Sequence, residues 1–142
     1  MNIIMLKQTE NEVLIEKQEV ENLDLDTMYS LIGCELIDIK ATQPAVWRGV
    51  GVFPDMLAVF DDEFLMTHEP VANPVASLLF GYLMHGQCLC GTVLLCKDGE
   101  EDMEGFSDEE AYELVEKLNK LDKIADKIDF EVQEPKFEFV QF

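Results

Sequence analysis

The chain predicts a single small α+β domain, with a mixed or antiparallel sheet of about five strands and about three helices. Three observations lead there. Its 142 residues suit one domain, and a hydrophobic fraction of 48% is ample for a core. Short alternating runs, such as CELIDIK at Cys34 to Lys40, have the period of strands. Between them lie helically spaced segments introduced by capping side chains.

In chain order, Asn2 to Lys7 reads as a strand, and Glu12 to Val20 as its partner across a turn at Thr9 to Asn11. NLDLD, from Asn22, offers caps for a helix with Leu25, Met28, Tyr29 and Ile32 on one side, stopped by Gly33. Cys34 to Lys40 is the next strand. Residues 41–54 hold Pro44, Gly49, Gly51 and Pro54 and read as a loop excursion. Met56 to Phe60 is a strand that reaches the acidic turn Asp61-Asp62-Glu63 and returns as a hairpin through Phe64 to Thr67.

Asn73 as cap and Pro74 at the first position start a helix with Val75, Leu78, Leu79 and Tyr82 on its buried side. Gly91 to Cys96 is a strand. Ser107 and Glu110 have the spacing of a capping box, and Ala111, Leu114, Val115, Leu118 and Leu121 form the apolar stripe behind it. A core domain over 1–122 is followed by an extension over 123–142, with a candidate strand at Ile128 to Val132 and an alternating KFEFVQF tail. One apolar side of that tail needs cover, so it is expected to pack on the core or on a partner such as a twin subunit.

The charge is one-sided: 30 Asp and Glu face 10 Lys and Arg, for a net charge of −20. That balance disfavours direct binding of nucleic acid, which calls for a basic patch, and none is expected as a partner. The start, MNIIMLKQTE, has no basic region followed by a long apolar run, and the stretch Pro70 to Cys96 is too interrupted to span a bilayer. A cytoplasmic protein is expected, without a membrane partner, and with Cys34, Cys88, Cys90 and Cys96 as reduced thiols.

Three stretches together, MYSLIGCELIDI, MLAVFDDEFLMTHEPVANPVASLL and GTVLLCKDGEEDMEGFSDEEAYELVEKL, resemble the family catalogued as domain of unknown function 3846. The likeness covers most of Asn2 to Leu118. The resemblance implies a setting in phages, plasmids or gut bacteria. It supplies no reaction and no catalytic residues.

The residues themselves offer few chemical constellations. His85, Cys88 and Cys90, with Cys96 or His68 to complete a tetrahedron, are the candidate metal ligands, but the paired Cys-x-x-Cys spacing of a structural zinc site is missing. Core thiols are the simpler reading, and no cofactor is expected. Ser77 lacks the setting of a nucleophile elbow, GVGV at 49–52 lacks the rest of a phosphate loop, and DGEEDMEG lacks the order of a calcium loop. Trp47 and Arg48 form either a partner-facing pair or a core anchor for their loop.

What stands out is acidity. From Asp98 to Glu116 there are ten carboxylates and no Lys or Arg. Asp108, Glu109, Glu110 and Glu113 suit the positive end of the last helix. Asp98, Glu100, Glu101, Asp102 and Glu104 serve no such purpose, and with Trp47 they are the candidate partner-binding residues. The expected function is a non-enzymatic acidic module that binds a basic protein surface, in its sharper form a nucleic-acid mimic that inhibits a defence nuclease or DNA-binding protein. The alternative is a small-ligand-binding or catalytic domain built on the His/Cys region.

Overall fold

The computed structural model describes residues 1–9, 12–42, 46–47, 49–62, 71–99 and 102–130. They form one α+β domain: an antiparallel sheet of about six strands, with helices on both of its faces. The elements are β1 (Asn2–Gln8), β2 (Val13–Glu19), α1 (Leu25–Ile32), β3 (Ile37–Ala41), β4 (Val46–Trp47), β5 (Gly51–Val52), β6 (Met56–Asp61), α2 (Pro74–Phe80), α3 (Tyr82–His85), β7 (Val93–Asp98), β8 (Met103–Glu104) and α4 (Asp108–Ala125). The main sheet runs β2-β1-β7-β6-β3, with β8 on β7, while β4 and β5 form a separate small hairpin.

The strand patterns follow position in the sheet. Central β1 is buried at Ile3, Ile4, Met5 and Leu6, because helices cover both sides, so its sequence is a continuous apolar run. Edge strand β2 instead alternates around Val13 and Ile15. One face presents Ile4, Leu6, Ala58, Phe60, Val93 and Leu95 to α2 and α4. The α4 stripe there is Ala111, Leu114, Leu118, Leu121 and Ala125, and full burial of each leucine contributes about 1.5–3 kcal/mol. The other face, with Ile3, Met5, Val59, Leu94 and Cys96, is covered by Met28 of α1.

Local signals set the helix ends. Asp24 accepts the Thr27 amide at 2.8 Å to start α1, and Gly33, with φ of 79°, closes it by donating to the Tyr29 carbonyl. The Cys34 amide donates to the same Tyr29 oxygen, so Cys34 belongs to the helix exit and the strand begins only at Ile37. Ser107 and Glu110 form the expected capping box. Asn73 does more than cap. Its Oδ1 accepts the Ala76 amide, while its fully buried Nδ2 donates to the carbonyls of Leu6 and Gly91 at 3.0 and 2.9 Å, tying α2 to β1 and to the entry of β7.

Two expectations need correction and two fall outside the described residues. The helix after Asn73 does not run through Tyr82, because Gly81 takes a left-handed conformation, with φ of 104°, that ends α2 and begins the single turn α3. Ile128 to Phe130 are not a strand: the amides of Lys127 and Ile128 bond back to Ile124 and Ala125, and Ile128 and Phe130 pack against the main core. The Phe64 to Thr67 return and the KFEFVQF tail lie outside the described residues. Within the excursion at 41–54, β4 and β5 pair Val46 with Val52 and Trp47 with Gly51.

Candidate functional site

The acidic segment after β7 is a hairpin. Asp98 pairs with Met103 and Lys97 with Glu104, and the Gly99 amide donates to the Asp102 carbonyl to close the turn. A Cβ at residue 99 would collide with the Asp102 carbonyl oxygen and the Glu104 side chain, so the turn requires glycine. Glu100 and Glu101 lie outside the described residues.

Asp98, Asp102 and Glu104 are all exposed, but they do not make one flat patch. Strand alternation puts Asp98 on the α1 face, with Met103 opposite it against that core. Glu104 lies on the α4 face opposite Lys97, whose Nζ reaches Glu110 Oε2 at 3.0 Å. The acids therefore wrap the end of the sheet. Cys96 registers two of them: burial first, then the charges of Asp98 and Asp102, push its thiol up to about 11.

The topology adds carboxylates that sequence spacing does not connect. β1 starts where β7 and β2 finish, so Asn2 sits opposite Glu19. It also donates from Nδ2 to Asp108 Oδ1 at 2.7 Å, at the start of α4. The Asp98 amide donates to the Asp55 carbonyl just before β6. Glu19, Asp55, Asp108 and Glu109, all exposed, thus join Asp98, Asp102 and Glu104 around one end of the sheet. Lys17 and Lys97 sit among them, and each already holds an acid, Asp108 at 3.8 Å and Glu110 at 3.0 Å.

Glu110 has a structural post as well. Its Oε1 accepts the Ser107 amide, and that bond, followed by the Lys97 ammonium, holds its carboxyl below the usual range. Trp47 is half-buried against the main core, in the position of a loop anchor. Arg48 lies outside the described residues. The hairpin that bears Trp47 leans on α4, where Lys117 Nζ donates to the Val52 carbonyl at 2.9 Å. Between hairpin and helix is a cleft of about 280 Å³, lined by Val52, Phe53, Pro54, Glu110, Glu113, Leu114 and Lys117.

The His/Cys region is differently disposed. His85 is exposed, but its ring is held by backbone on both sides, Nε2 near the Phe80 carbonyl at 3.0 Å and Nδ1 accepting from the Gln87 amide at 3.0 Å. Cys88 and Cys90 are buried. Burial, followed by the charge of Cys88, pushes Cys90 up to about 12, and burial also raises Cys88, so both stay as unreactive thiols near neutral pH. The buried Ser77 hydroxyl is occupied by the Leu89 backbone, donating to its carbonyl and accepting its amide. Among the described residues no group of three or more His, Cys, Asp and Glu is placed to hold a metal ion; His68 lies outside them. No described helix is long and apolar enough to cross a membrane.

Fold and surface define a small α+β domain with a carboxylate-rich sheet end. The chain belongs to the family described as "Domain of unknown function (DUF3846)", whose model matches residues 1–119. Comparisons with curated proteins and with solved structures found no match.

Proposed function

We propose that this domain is a non-enzymatic, acidic protein-binding module of a mobile element or its bacterial host, working in the cytoplasm against a basic protein surface. The observation behind this reading is the sheet end itself, where Glu19, Asp55, Asp98, Asp102, Glu104 and Glu109 stand exposed with few lysines to compensate them. Carboxylates gathered at one end of a chain of net charge −20 create a field that steers a cationic surface into contact and repels phosphate. A nucleic-acid-binding protein is the partner class that presents such a surface, so inhibition by mimicry is the sharper form. The rival reading, chemistry at the His/Cys region, is disfavoured by the buried thiols and the backbone-held imidazole.

The test begins with the partner captured from the native host and identified by mass spectrometry. Its affinity is then measured at low and moderate salt for the wild type and for a variant with Asp98, Asp102→Asn and Glu100, Glu101, Glu104→Gln. Weaker binding with a shallower salt dependence is expected. Unchanged affinity and salt dependence would reduce the acidic end to a solvated surface.

A further inference from the structure

We infer that the cleft between the β4–β5 hairpin and α4 receives one arginine side chain of the basic partner; this rests on the protein-binding reading and adds where its anchor residue goes. The apolar part of the cleft lining is Val52, Phe53, Pro54 and Leu114, of which Phe53 and Leu114 are buried. Glu110 and Glu113 stand about one helical turn apart on its α4 wall. A space of about 280 Å³ suits one long side chain better than a cofactor. Arginine matches this lining, because its methylene stem buries against apolar surface while its planar head offers donors to carboxylates.

The charges in the cleft leave one position for an incoming cation. Lys117 is drawn to the hairpin wall by its bond to the Val52 carbonyl. Glu110 is engaged by the Ser107 amide and by Lys97. Glu113 is exposed and has no hydrogen bond or ion pair with another described residue, so its carboxylate faces the guanidinium. Glu110 also touches Lys97, which lies opposite Glu104 in the β7–β8 register, so the cleft adjoins the acidic end. One exposed ion pair is too weak to hold free arginine, and the side chain therefore arrives on a protein whose wider basic surface engages that end.

Amide chemical shifts followed during titration with acetyl-hexaarginine amide, and separately with acetyl-hexalysine amide, test this. The protein is compared with Glu113→Gln and Glu116→Gln, which each remove one exposed charge from α4, only the first from the cleft and neither from the acidic sheet end. Saturating shifts at Phe53 and Leu114 with hexaarginine are expected, with affinity about fivefold weaker in Glu113→Gln and altered less than about twofold in Glu116→Gln. Equal effects of the two substitutions, or shifts confined to the sheet end, would overturn the cleft assignment while leaving the protein-binding reading in place. Failure of both peptides to bind at low salt would overturn both.

Discussion

Replacing Asn73 with alanine tests how α2 is fixed to the sheet. The side chain is fully buried and makes three bonds: it caps the Ala76 amide and supplies a donor to each of the Leu6 and Gly91 carbonyls. Loss of the cap costs about 1 kcal/mol. The two carbonyls become buried acceptors without this donor, at about 1–3 kcal/mol each where nothing replaces it. Together these give about 3–7 kcal/mol, lowering the melting temperature by about 10–25 °C in a domain of this size. Thermal and urea unfolding followed by circular dichroism measure it. Asn73→Asp separates the contributions, since it keeps an acceptor for Ala76 but turns a carboxylate oxygen toward two carbonyls. It should be at least as destabilising as alanine at neutral pH and recover as the carboxyl is protonated. A drop under about 3 °C for Asn73→Ala would show that these bonds do not hold α2 in place.

Further outcomes follow from other contacts. Ser107→Ala and Glu110→Ala should each cost about 1 kcal/mol in thermal melts, through the two halves of the capping box, whereas neutralising Asp98, Glu100, Glu101, Asp102 and Glu104 should leave stability unchanged or slightly raised by relieving like-charge repulsion. In the first case a neutral result, and in the second a marked loss, would reverse the division between scaffold and surface. Stability should rise as pH falls from neutrality into the carboxylate range and then decline. Asp122, raised by burial and then by Asp126 and Glu12, binds a proton more tightly when folded, while Asp24 and Glu110 are lowered by their hydrogen bonds and lose that contribution as pH falls through and below the same range. A monotonic fall from pH 7 downward, read by melting temperature, would contradict this. The purified protein should hold no stoichiometric zinc and melt unchanged in chelator, because Cys88 and Cys90 are buried thiols and both His85 nitrogens face backbone groups; one tightly held zinc per chain would refute it.

What was legible in the sequence was local. The Asn73 and Ser107 caps and the Gly33 stop act over three or four residues, so spacing exposes them; the apolar run of β1 reads as a strand, but its cover on both faces comes from helices far away in the chain. Gly81 was harder to place, since Tyr82 continues the apolar spacing across it and only the left-handed backbone reveals the break. The second task of Asn73, holding Leu6 across 67 positions, leaves no local trace.

The candidate site was legible only in part for the same reason. A run of acids in DGEEDMEG looks like one patch, yet a strand turns successive side chains to opposite faces, so Asp98 and Glu104 part company while Asp98 and Asp102 both act on Cys96. The remaining carboxylates arrive through sheet order. Because β1 begins beside the close of β2 and the start of α4, Glu19 and Asp108 become neighbours through Asn2, and because β6 begins beside the end of β7, Asp55 meets Asp98. The acidic end is thus a product of topology acting on acids scattered along the chain. Excess charge could be counted in advance, but its concentration at one end, next to the cleft that Glu113 lines, required the paired strands to be known.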